Sequence, residues 1–131
     1  MKYLSLFLFF TTFLITQIPA NAYEKSNSKR AMEMERLEEA FITLIILTET
    51  KPAPYQEMET TLGEMKKTAL KLKDDTKKEA LKIQLDQLIA KMESVQKSIA
   101  SKKISAVKKD ADLLADQCFR CHSAHQPIPK I

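Results

Sequence analysis

The sequence predicts an all-α fold, an antiparallel up-down-up-down four-helix bundle, on three observations. Helix breakers are scarce: Gly63 is the only glycine, and after Pro19 the prolines stand only at 52, 54, 127 and 129. Apolar residues recur at steps of three and four, the period of a helix that buries one face. The links between these periodic segments are short. Short links make successive helices antiparallel neighbours and leave little room for a crossover.

Helix 1 is expected from about Ser28 to Thr50, with the stripe Met34, Leu37, Phe41, Leu44, widened by Ile45 and Leu47. The stretch Lys51-Pro-Ala-Pro54 ends it, because proline lacks a donor and disfavours helical backbone before it. Helix 2 follows from about Tyr55 to Lys73, along Met58, Leu62, Met65, Ala69 and Leu72. Thr76-Lys-Lys-Glu79 reads as a capping box, threonine as N-cap and glutamate reaching back. Helix 3 then runs to about Ser101 along Leu81, Leu85, Leu88, Met92, Val95 and Ile99. Helix 4 starts near Ser101 to Ser105 and carries Ile104, Val107, Ala111, Leu114, Cys118 and Cys121.

Ahead of these helices, Lys2 precedes an almost wholly apolar run from Leu4 to Ile18, then Pro19 and the small-x-small triplet Ala20-Asn21-Ala22. That is the layout of a secretory signal peptide, expected over residues 1–22 with cleavage after Ala22. The run is short for a membrane span of roughly 20 residues. No stable membrane anchor is therefore expected after cleavage, and the periplasm is the expected location. The remaining domain, 23–131, suffices for one compact unit. Removing Lys2 leaves 20 basic residues against 17 acidic. These charges are interleaved, as on solvated helix faces, so nucleic-acid binding is not expected. The domain has no tryptophan and four aromatics, Tyr23, Phe41, Tyr55 and Phe119. Its core must be aliphatic unless another flat apolar body contributes.

Both cysteines fall in Cys118-Phe-Arg-Cys-His122, followed by His125. Helical spacing puts Cys118 and Cys121 on the inward stripe after Leu114, with His122 beside them. Four chemistries use such residues. Zinc needs about four ligands, and only His125 is at hand to complete Cys118, Cys121 and His122. A redox pair wants its first cysteine at a helix N-terminus in an α/β setting, not at the far end of a helix. A disulfide across so small a loop would stabilise weakly. Cys-x-x-Cys-His is also the attachment pattern of c-type haem, where both thiols join the porphyrin vinyl groups and histidine binds iron. Export of the chain and the aromatic-poor core agree with one covalent haem c, and this is the reading favoured.

The topology then nominates a second iron ligand. In an antiparallel bundle the end of helix 4 lies level with the start of helix 1. The first inward residue there is Met34, a soft thioether, and His/Met ligation gives a low-spin haem of raised potential. Methionine at helical spacing is more often core filler, and that alternative stands beside ligation. Met32 lies about 200° around the helix, with Glu35, Arg36 and Glu39, and is expected to be exposed. Arg120 reads either as a haem-propionate partner or as a solvent-facing residue. His125 reads as a surface residue, and Gly63 either permits a close helix approach or is merely tolerated.

In this arrangement the sequence resembles two groups of four-helix haem proteins. "CFRCH" at 118 to 122 is placed as in the class II c-type cytochromes, the cytochrome c-prime group. "MERLEEAF", Met34 to Phe41, is similar to the opening Met-Glu-x-Leu stretch of the cytochrome b-562 group. That group's ligands fall on Met34 and His122. The resemblance covers most of the domain in layout but only these two stretches in residues. The link between helices 2 and 3 is shorter than in either group, and the tail SAHQPIPKI lacks the usual aromatic-basic ending. It implies a monohaem c-type cytochrome carrying single electrons to an unidentified redox partner protein, with a homodimer as an oligomeric option. The alternative it implies is a five-coordinate protein binding nitric oxide or carbon monoxide, with Met34 only lining the distal pocket. No proton-transfer constellation or nucleophile-base pair is visible in the sequence, so an enzyme is not expected.

Overall fold

The computed structural model describes residues 22–125, with side chains for 29–124. Residues 1–21, and with them nearly all of the expected leader, lie outside the described residues. Four helices make up the fold: α1 (Ala22–Glu49), α2 (Tyr55–Asp75), α3 (Glu79–Ala100) and α4 (Ile104–His125). There is no strand among the described residues. α1 starts six residues before the expected Ser28. Ser26, Asn27 and Ser28 invite a start there because their side chains compete for backbone hydrogen bonds, but the helix runs through them.

Each break has a local cause. Thr50 tightens the last turn of α1 by donating from its backbone N–H to Leu47 O at 3.2 Å, and the two prolines then prevent continuation. Pro54 precedes α2 and accepts from the Met58 N–H at 3.0 Å. The capping box expected at Thr76 does not form. Lys78 is the N-cap of α3 and has no side-chain cap bond. Thr76 is instead the C-cap residue of α2, buried, and its hydroxyl accepts from the Lys78 N–H at 3.3 Å. Turned inward, it sits too early to cap a helix starting at Glu79. Between α3 and α4, Lys102 takes the left-handed conformation at φ 52° that glycine usually fills after a helix.

The helices alternate in direction. Lys29 at the start of α1 pairs with Asp75 at the end of α2 at 3.8 Å, and Lys73 pairs with Asp86 of α3 at 2.5 Å. At the opposite end, Glu49 of α1 pairs with Lys108 of α4 at 2.9 Å. The Tyr55 hydroxyl donates to Lys102 O at 2.9 Å. Leu44, Met58, Met65, Leu85, Met92 and Leu114 are the largest fully enclosed side chains. Burying each contributes roughly 1.5–3 kcal/mol of transfer free energy. The core is aliphatic and methionine-rich, and no described aromatic is fully buried. Phe119 is 74% exposed.

The four neighbouring pairs are unequal. α1 packs closely on α2 and α3 on α4, with α2–α3 nearly as close, whereas α1 and α4 touch far less. No described helix is long and apolar enough to cross a membrane.

Candidate functional site

The sparsely packed α1–α4 seam holds the site. α4 descends into it along Val107, Ala111 and Leu114, all buried, and one turn later presents Cys118 and His122. Opposite them α1 presents Met34, Leu37, Glu38, Phe41 and Ile42. Met65 of α2 and Met92 of α3 close the inner wall, leaving a cavity of ≈ 200 Å³. All four helices therefore contribute to one chamber, and its lining is apolar apart from Glu38, Cys118 and His122.

Cys121 lies beside this chamber rather than in its lining. Residues three apart on a helix differ by about 60° in direction, those four apart by about 40°. Cys118 and His122 therefore share the α1 side of α4, while Cys121 shares its side with Gln117, four residues earlier. Gln117 is buried and its amide nitrogen donates to Gln84 Oε1 of α3 at 2.8 Å and to Gln87 Oε1 at 3.3 Å. Cys121 is 6% exposed, Cys118 and His122 half-buried, and the two cysteines are unbridged.

Burial pushes the Cys118 thiol up to about 11, with a smaller contribution from Cys121. Burial raises Cys121 as well. Both sulfurs are therefore neutral thiols at neutral pH. Dithiol redox centres depend on a lowered thiol pKa, which favours the nucleophilic thiolate, and this environment acts in the opposite direction. Among the described residues no group of three or more His, Cys, Asp or Glu is arranged to hold a metal ion. A porphyrin-bound iron makes a smaller demand, since the ring supplies four nitrogens and the protein at most two axial ligands.

The residue types fit a covalently attached haem. Two neutral thiols one turn apart, an adjacent imidazole, a thioether on the facing helix and apolar walls are the donor set such a group uses. The cavity is smaller than the 300–1,000 Å³ usual for an enclosed ligand pocket. Admitting a haem requires α1 and α4 to separate further, and they are the neighbouring pair with the least contact to lose.

Met32 is 48% exposed, as its position among charged residues implies. Arg120 is exposed and does not line the cavity. Gly63 is exposed, and a Cβ added there would meet nothing within 4 Å, so no close approach depends on it. The His125 side chain lies outside the described residues. Sequence reasoning missed Glu38 and Ile42 at the site, although both lie one or two turns after Met34 on its side of α1. It also missed Glu33, which is buried between α1 and α2, pairs with Arg36 at 3.6 Å and accepts a hydrogen bond from Lys71. That bond holds the Glu33 carboxyl below its ordinary range.

Compared with family models, with characterised proteins and with solved structures, the chain matches none of them.

Proposed function

We propose that this chain is an exported, periplasmic monohaem cytochrome c of the class II kind, and that it carries single electrons. The observation that carries the reading is the convergence of Met34, Cys118 and His122 on one apolar cavity, with buried Cys121 beside it. Bound there, a haem c supplies a one-electron iron couple.

In this reading the thiols of Cys118 and Cys121 would hold the haem through thioether links to its two vinyl groups. His122, next to Cys121 and oriented by α4, would bind the iron. Met34, across the cavity on α1, would be the other ligand, and an uncharged thioether would favour the reduced iron more than a charged ligand. Leu37, Phe41, Met65 and Met92 exclude water from the site, which also tunes a metal centre of this type. Nothing in this scheme calls for bond-making at a substrate, so the protein is a carrier and not an enzyme.

The absorption spectrum of the mature protein, produced with haem-maturation machinery, tests the reading. A low-spin reduced form with sharp α and β bands is expected. Met34→Ala should convert it to a high-spin form that binds carbon monoxide. If the unaltered protein is already high-spin and binds carbon monoxide readily, the Met34 assignment fails and the five-coordinate reading replaces it. A colourless product overturns both.

A further inference from the structure

Glu38 is exposed, at the solvent edge of a cavity lined otherwise by apolar residues, Cys118 and His122, and it is the only acidic side chain of that lining. It stands four residues after Met34, about 6 Å further along the same side of α1. The positions three and four away from it hold Glu35, Met34, Phe41 and Ile42, so α1 supplies no basic residue to neutralise it. Ion pairs among the described residues engage Glu33, Glu49, Asp75, Glu79, Asp86 and Glu93, but not Glu38. It is also the smallest of the contributions that raise the Cys118 thiol, after burial and Cys121.

We propose that Glu38 sets the reduction potential of this centre, holding it below the value that the Met34 and His122 ligands and the apolar walls would otherwise produce. The inference rests on the haem reading above. The oxidised iron carries one more positive charge than the reduced iron, so a fixed carboxylate beside it stabilises the oxidised form. Glu38 lies one turn after Met34 on the same side of α1, at the solvent edge of the cavity that Met34 also lines. Solvent at the outer rim weakens the interaction without abolishing it, because a charge nearer than the Debye length of about 8–10 Å is not fully screened. The role does not depend on Met34 ligation, since it needs only the carboxylate beside the iron.

The experiment compares Glu38→Gln with the unaltered, haem-loaded protein and with Glu39→Gln. Glu39 is a neighbour on α1 that lines the groove toward α2 instead. Spectra are taken at equilibrium with a soluble redox-mediator couple at a fixed ambient potential and pH 7. The reduced-to-oxidised ratio of Glu38→Gln should rise about fivefold, equivalent to about 40 mV for a one-electron couple. Glu39→Gln should move it less than twofold, and the visible bands of both variants should match the parent. A rise below threefold in Glu38→Gln, or an equal rise in Glu39→Gln, overturns the role of Glu38 and leaves the haem reading intact. A parent protein without attached haem overturns the haem reading, and this role with it.

Discussion

α4 faces two very different neighbours. Toward α3 its surface is closed, with Gln117 bound to Gln84 and Gln87, Ser98 hydrogen-bonded to Asp110, and Cys121 buried beside them. Toward α1 the same helix borders an apolar cavity, with Cys118 and His122 only half-buried and Met34 opposite. The difference separates two tasks on one element. The α3 side fixes where α4 lies, and the α1 side contributes little to its position. A loose seam between well-packed helix pairs is where a bundle can admit a ligand at least expense of its own contacts.

Variants on the two sides should separate these tasks, beginning with a reference that weakens both. Leu114→Ala removes a fully buried side chain midway along α4 and should destabilise the protein by about 3 kcal/mol in urea unfolding. An equal loss from Met34→Ala would mean that the α1 side is packed as tightly as the core.

The Cys118 thiol gives a pH-dependent test of the open side. Its folded pKa is raised from 9.0 to about 11, so in that interval the unfolded chain ionises first while the folded chain keeps its proton. Stability is therefore whole below pH 9 and falls as pH rises toward 11. Discounting for partial exposure, the loss is about 2 kcal/mol. Haem-free Cys118→Ala should unfold with a flatter alkaline dependence than its parent, and parallel curves would contradict the burial argument.

On the closed side, Gln117→Ala deletes the donor to two α3 glutamines and should cost about 1.5 kcal/mol. Met34→Ala in the haem-free protein should cost less, about 1 kcal/mol, since a half-buried side chain beside an existing cavity loses few contacts. Reversal of that order would erase the contrast between the two seams. The smallest effect belongs to the link far from the site. Lys102→Gly relieves a left-handed backbone conformation and should stabilise by about 0.5–1 kcal/mol, without changing any visible spectrum.

Much of the fold was legible because its signals are periodic. The stripes of α2, α3 and α4 match their buried faces, and Pro52 and Pro54 mark the first break where it occurs. The start of α1 was not legible, since Ser26, Asn27 and Ser28 carry a cap-like composition that the longer helix ignores. Thr76 misled for a related reason. The spacing to Glu79 satisfies the capping pattern, but the threonine is taken up at the end of α2 before α3 begins.

At the site, the spacing of Cys118, Cys121 and His122 is local and could be read directly. The position of Met34 across from them needed only the antiparallel order of the helices. Which neighbour Cys118 and Cys121 each face depends on how α4 is rotated about its axis, which no local pattern encodes. Met65 and Met92 look like any other stripe methionines until the level of each helix is known. Glu38 is hidden because an acidic residue at the edge of a stripe ordinarily marks the solvent boundary. Only the weak α1–α4 contact turns that boundary into the wall of a cavity.

The central claim is that Cys118 and Cys121 carry a covalently attached haem. Intact-mass measurement of protein matured with haem-attachment machinery, beside the Cys118→Ser/Cys121→Ser double variant, addresses it most directly. One haem should be added to the parent and none to the double variant. A parent chain of unmodified polypeptide mass would contradict it.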